Sequence, residues 1–338
     1  MSGAPIINGT NQLPKPPISA GITVKNTRSR GRSWLGEGGF RALTLGAVGV
    51  TVLMLAGIII LLAIQSAPAL SHFGWGFLVN EVWNPVTDHF GARAPILGTL
   101  ITAAIAMLIG VPLAMGTVFF ISELAPYTLR SALVTAIELL AAVPSIIYGM
   151  WGLFVLAPIM ASTIEPALIN VIGPIPIIGA LFQGPPFGVG VLTAGLILAI
   201  MVLPYIAAVG RQVIANVPPM LREAAFGVGL TRWEVFRRVL VPYASRGILG
   251  GVMLGLGRAL GETMAVTFVI GNAHHVQASI LAPGTTIAAS LANEFSEAES
   301  DSYQSSLLAL GLILFVITFI VLAAAQIMLY RANREQRT

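Results

Sequence analysis

The chain contains no cysteine. That excludes a disulfide framework, a thiolate metal site and a cysteine nucleophile, and it leaves the redox state of the compartment unreadable. Charge is scarce too. Asp, Glu, Lys and Arg make up 9% of the 338 residues, against about 25% in a soluble domain, while 56% are apolar and the mean hydropathy is +0.87. A chain with this balance belongs in lipid. Lysine occurs only as Lys15 and Lys25, neither set in the glycine-rich pattern of a P-loop, so ATP hydrolysis by this chain is not expected. The four histidines, His72, His89, His274 and His275, fall between the expected spans. They offer no buried base for an intramembrane hydrolase, and His274 and His275 have no further ligands nearby in sequence, so no metal site is expected.

What the chain does have is long apolar runs. Six of them, 42–64, 96–121, 131–156, 189–209, 248–270 and 307–329, are read as helices crossing about 30 Å of hydrocarbon at 1.5 Å per residue. The first starts too late and runs too long for an ordinary signal peptide, although Ala67-Pro68-Ala69 resembles a cleavage site, so it is taken as an uncleaved span. The expected division is a basic, mostly disordered tail (1–41), a six-span domain (42–330) and a short tail (331–338).

Even spans put both termini on one side, and the cations say which. The first tail carries Lys15, Lys25, Arg28, Arg30, Arg32 and Arg41; the loop between the fourth and fifth spans carries Arg211, Arg222, Arg232, Arg237, Arg238 and Arg246; the last tail carries Arg331, Arg334 and Arg337. Arg130 lies on the same side, and the opposite loops hold only Arg93. Cations gather on the cytoplasmic side, so both termini and the 219–242 loop are expected there. The outer loops, 65–95, 157–188 and 271–306, are solvated by default, and the last is acidic, with Glu294, Glu297, Glu299 and Asp301.

The loop at 219–242 reads PMLREAAFGVGLTRWEVFRRVLVP. Pro218 and Pro219 suit a helix start, Gly229 suits a left-handed helix end, and Thr231 with Glu234 makes a capping box that opens a second helix. Trp233, Phe236 and Leu240 recur at helical spacing, and Pro242 is expected to end this helix. The result would be a two-helix amphipathic knob. Glu223-Ala224-Ala225, then Gly229, then Val239-x-Val241-Pro242 resembles the EAA loop with which permeases of ABC importers dock into their ATPase. Val239 and Val241 stand where that pattern usually has Ile and Leu. A plain connector and a DNA-binding helix-turn-helix are the bland alternatives, but a DNA reader strung between two spans would be rare, so no nucleic-acid partner is expected.

Two charges fall inside the expected fifth span. Arg258 and Glu262 are four apart and therefore on one face of a continuous helix, where each costs a few kcal/mol unless paired or turned toward water. Gly247, Gly251 and Gly255 would let a neighbouring helix approach closely. The pair either lines a translocation path or forms a mutual salt bridge that only stabilises the bundle. Glu138, in the expected third span, is a candidate for intramembrane support.

GRALGETMAV at 257–266, IELLAAVPSIIYGMWG at 137–152, ISELAP at 121–126 and the EAA loop together resemble the PstC-type permeases of bacterial phosphate importers, over about residues 70–330. The resemblance implies an all-α protein of the type I ABC-importer permease architecture in the bacterial inner membrane. It also implies a PstA-type second permease, a PstB-type ATPase pair that uses ATP and Mg, and a PstS-type phosphate-binding protein outside. Onto this chain it maps Arg258, Glu262 and the adjoining Thr263 as translocation residues, and Glu223, Ala224, Ala225, Gly229 and Pro242 as docking residues. A permease for sulfate or molybdate and an ion-coupled carrier in which Glu262 exchanges protons are the rivals, and the EAA spacing argues against the carrier.

The orientation is testable because the chain has no cysteine of its own. A cysteine at Ala298 is expected to react with an impermeant thiol reagent from outside, and one at Ser33 only after the membrane is opened; the reverse pattern would overturn the charge-based orientation.

Overall fold

The computed structural model describes residues 33–335, with side chains over 38–327. Residues 1–32 of the expected tail (1–41) and the last residues, 336–338, lie outside this range. Among the described residues there are no strands, only two isolated bridges, Asn84 with His89 and Gly271 with Gly284. Six helices are long and apolar enough to cross a membrane.

Helix α1 (Ser33–Phe73) takes in residues 33–41, where the composition led us to expect disordered tail. It crosses a division of the chain into two units, one up to Ala56 and one from Gly57 onward. In the first unit Leu43, Leu45 and Leu53 are exposed, as lipid-facing side chains would be. Within the second unit α2 (Arg93–Leu124) follows, ending in a π-helical turn at Phe120–Leu124.

The expected third span is wrong in its limits. Its first half is a separate helix, α3 (Tyr127–Ala142), and the membrane-length helix is α4 (Ser145–Ile172). The break lies at Val143, which is extended (φ −64°, ψ 129°) because the ring of Pro144 disfavours the helical region for the residue before it. α4 then runs past Pro158 and Pro166 with π-turns at Gly152–Leu156 and Met160–Ile164. Such turns absorb the misfit around a proline without stopping the helix. Residues 157–172, expected in an outer loop, are therefore helical.

Helix α5 (Val191–Ala215) is the core of the bundle. Of its most apolar stretch 67% is buried, against at most 28% for any other span. Small residues set the approach of its neighbours. On α7 (Arg232–Leu260) a Cβ added at Gly247, Gly251 or Gly255 would meet Val213, Val209 or Ile206 of α5 at 2.4, 2.9 and 2.9 Å. On the other side Gly195 of α5 leaves no room for a Cβ beside Ile105 of α2, at 2.5 Å. Packing of this closeness replaces the hydrophobic drive that is lacking between helices in lipid.

Between α5 and α7 lies α6 (Pro219–Gly227). After α7 come α8 (Met264–Val269), α9 (Ile287–Glu294) and α10 (Asp301–Glu335), which carries the helix beyond residue 330 into the expected tail. At the end of the bundle away from α6, Glu294 gathers the loops. Its Oε2 accepts from Trp83 Nε1 at 2.6 Å and Tyr303 O–H at 2.7 Å, and its Oε1 lies 2.6 Å from His274 Nε2. Trp83 and His274 stack at 4.9 Å. His274 is thus committed to a carboxylate and a tryptophan face. Glu165 of α4, passed over in the sequence, is fully buried and accepts the Gly188 N–H at 2.9 Å, which ties the loop before α5 back to α4. Ala298 is 7% exposed and a poor labelling site; exposed Ser296 serves in its place, paired with Tyr127 at the other end.

Glu294 gives this end a pH dependence. Burial raises its pKa, but the hydrogen bonds from His274, Tyr303 and Trp83 outweigh burial and hold it below the ordinary 4.5. A depressed carboxylate contributes stability that is present above 4.5 and lost as pH falls through its folded value. Thermal unfolding of the detergent-purified protein should therefore lose stability below pH 4.5, and Glu294→Gln should be less stable at pH 7 with a flatter acid limb. An acid limb as steep in Glu294→Gln as in the wild type would contradict this.

Candidate functional site

The loop at 219–242 is built from local signals. Pro219 opens α6, whose missing first N–H costs nothing there. Gly229 adopts φ +86°, with its N–H on Phe226 O at 2.9 Å and Leu230 N–H on Ala225 O at 3.2 Å, so the chain reverses in one turn. A Cβ at Gly229 would meet nothing within 4 Å, so the demand for glycine is purely one of backbone conformation. Thr231 then caps α7: Glu234 N–H reaches Thr231 Oγ1 at 3.4 Å, and Thr231 N–H reaches Glu234 Oε2 at 3.0 Å. Glu223 and Ala224 are exposed, Ala225 is buried, and Met220 and Val228 stand out at 76% and 79% exposure. An apolar, acid-edged face is thus left uncovered on the loop.

Pro242 does not end the second helix. The π-turn Phe236–Leu240 precedes it, and the helix continues as one element from Arg232 to Leu260. The widened turn makes room for the proline ring, and Pro242 then sits in the first turn of the following α-helical segment, where its missing N–H is tolerated. Trp233 and Phe236 pack on Phe119 of α2, each with ring centroids 5.0 Å from it.

The opposite end of α7 carries Arg258, and here the continuous helix expected through Glu262 is interrupted. α7 stops at Leu260 with Gly261 as its C-cap, so Glu262 and Thr263 lie in the break before α8 and not one turn along the same face. No salt bridge joins Arg258 to Glu262. The guanidinium of Arg258 lies 4.6 Å over the ring of Tyr205, its Nη2 is 3.9 Å from Met201 Sδ, and its Nε is enclosed without a partner. A desolvated cation–π contact contributes about 2 kcal/mol, which only roughly offsets the cost of about 2.5–3.5 kcal/mol for a cation at membrane depth. Arg258 is therefore left with a donor to spare. Tyr205 O–H donates to Ala141 O at 2.7 Å and Tyr148 O–H to Leu140 O at 2.9 Å, so two tyrosines satisfy carbonyls at the open end of α3. Glu262 is 9% exposed, with a long contact of 3.4 Å from the Ala265 N–H. Thr263 Oγ1 turns to Gly261 O at 3.4 Å.

Glu138 sits on α3, outside the six membrane-length helices, with its side chain 60% exposed and 3.4 Å from Arg211 at the end of α5. The contact ties α3 to the end of α5. Tyr205 was not expected at the site, since a tyrosine alone in an apolar run gives no signal of a guanidinium stacked on it. Among the described residues no group of three or more His, Asp or Glu is placed to hold a metal ion.

The family described as "Binding-protein-dependent transport system inner membrane component" matches residues 110–333, well over half of the chain. The chain belongs to that family. Within it this permease is 57% identical to the protein named phosphate transport system permease protein PstC of Mesorhizobium japonicum, over 87% of this chain and 90% of that one. It is 50% identical to the PstC of Haemophilus influenzae, over 93% and 99%. These relatives make it a PstC-type permease. Its fold matches a bacterial alginate ABC transporter solved with an oligosaccharide-bound periplasmic protein, at TM-score 0.58, 16% identity and coverage of 88% and 98%. A second alginate ABC transporter structure aligns at TM-score 0.55 and 18% identity, over 89% and 96%. At such identities the likeness speaks for the type I permease fold alone.

Proposed function

We propose that this permease forms half of the translocation path of an ATP-driven importer of inorganic phosphate. The observation that carries the reading is the 57% and 50% identity to proteins named as phosphate permeases, sustained along nearly their whole length. The other half of the path is a PstA-type permease. A PstB-type ATPase pair, using ATP and Mg, grips the uncovered face around Glu223, and a PstS-type protein delivers phosphate from outside. The terminal tails and the 219–242 loop face the cytoplasm, as the excess of arginine and lysine there supports.

Phosphate at neutral pH carries negative charge and at least one proton. Arg258, held over Tyr205 without a carboxylate partner, offers a forked, charge-assisted donor to such an anion. Glu262, when ionised, accepts a hydrogen bond from the protonated oxygen and repels sulfate, which has no proton to give. The absence of an Arg258–Glu262 bridge favours this role over a pair that merely stabilises the bundle. ATP-driven closure moves the docking loops and rocks the helices between inward and outward openings.

Uptake measured per assembled transporter, with phosphate and sulfate in competition, tests the assignment. Arg258→Lys, which keeps the charge but loses the fork, should cut uptake about tenfold. Glu262→Gln should lower phosphate uptake or relax its preference over sulfate. Wild-type rates and selectivity in both variants would remove the two residues from the path, and molybdate or sulfate transported in preference to phosphate would replace the substrate.

A further inference from the structure

One carboxylate outside the assigned site is nearly buried among cations drawn from separate elements. Glu123 lies in the last turn of α2 with its side chain 5% exposed. Its Oε1 is 3.1 Å from Arg222 Nη2 of α6, near enough for an ion pair but off the line of a good hydrogen bond. Around the same turn, Arg130 of α3 donates to the carbonyls of Ile121 and Ser122, and Arg232 of α7 donates to the carbonyl of Glu123 at 2.9 Å. Those carbonyls have no partner within α2, so the arginines cap the negative end of a helix dipole. Phe119, one turn earlier, receives Trp233 and Phe236. Both helices of the loop thus hold one turn of α2: α7 by an arginine and two aromatic rings, α6 by a single ion pair.

Nearby lies a cavity of about 450 Å³ whose lining includes Arg130, Arg211, Arg222 and Glu223. Arg222 and Arg211 are matched by Glu123 and Glu138, and Arg130 is spent on carbonyls, so the cavity offers no free cation to a ligand. The charges make a seam between the loop and the spans.

We infer that Glu123 is the positioning residue through which α6 moves α2, and that the Glu123–Arg222 pair converts displacement of the docking loop into displacement of the translocation path. This rests on the reading of 219–242 as the ATPase-docking loop. Without the pair, α6 can shift with the ATPase while α2, held only by α7, follows it incompletely. Hydrolysis and transport then separate. A merely structural Glu123 would change the amount of complex, and both activities with it.

The test is phosphate moved per ATP hydrolysed by the complete transporter in vesicles. Glu123→Gln keeps the side-chain shape and should lower this ratio about tenfold, a coupling loss within the usual range. Arg222→Gln, altered on the half-exposed α6, should do the same should the first variant fail to assemble. The exchange Glu123→Arg with Arg222→Glu should recover part of the ratio. A wild-type ratio in either single variant, or an exchange no better than the single variants, would overturn the inference. Gly229→Val separates this from failure of the docking reading: ATPase association that is lost in Gly229→Val while Glu123→Gln keeps its ratio faults Glu123 alone, and association that persists in Gly229→Val faults the docking loop itself.

Discussion

The backbone of α7 has to stay hydrogen-bonded all the way from Arg232 to Leu260, and the rest of the permease depends on how it does so. In hydrocarbon an unsatisfied N–H or C=O costs several kcal/mol, so a helix of membrane-spanning length cannot be broken cheaply. Pro242 threatens such a break. The π-turn at Phe236–Leu240 admits the ring and keeps the helix in one piece. From Arg232 to Arg258 this helix extends roughly 40 Å at 1.5 Å per residue. The candidate docking loop and the candidate substrate cation are therefore two ends of one rod.

A rod transmits motion only if its neighbours hold it. Gly247, Gly251 and Gly255 press α7 onto α5, and Gly195 presses α5 onto α2. These contacts bring the three helices together with no room for a larger side chain at the four glycines. At the loop end, arginines and aromatic rings bind α2 to the same knob. Where the rod stops, the chain changes character: Gly261 closes the helix, Glu262 falls in the break, and Arg258 rests on Tyr205. Tyr205 is itself fixed to the end of α3, which Pro144 has severed from α4. Irregular backbone at membrane depth is tolerated where protein or water can satisfy it, and here two tyrosine hydroxyls do so.

Much of this was legible in the residues. The count of six membrane-length helices, the capping box of Thr231 and Glu234, the left-handed Gly229 and the small-residue stripe at Gly247, Gly251 and Gly255 all rest on local rules, and the described residues have each of them, although the runs 131–156 and 248–270 are each broken and displaced. Prolines were the weak point, because their effect depends on what surrounds them. Pro144 broke a span that hydropathy ran together, while Pro242, Pro158 and Pro166 sat within helices that continue past them. Composition could not see the break at Gly261 either, since Glu262 and Thr263 are followed at once by another apolar run. Four-residue spacing predicts a shared face only while the helix lasts. Contacts between distant segments left no trace in the order of residues: Arg258 on Tyr205, Arg222 on Glu123, Trp83 and His274 on Glu294.

The rigidity of α7 past Pro242 can be measured directly. The cysteine-free chain allows paired spin labels at Arg237 and Leu254, both exposed and on opposite sides of the proline. Pulsed electron resonance on the complete transporter should then give a single narrow distance of roughly 25 Å, at 1.5 Å per residue, that is the same with and without bound ATP. A distance that splits into two populations, or shifts by more than about 5 Å, one helical turn, on ATP binding, would make Pro242 a hinge and contradict the account.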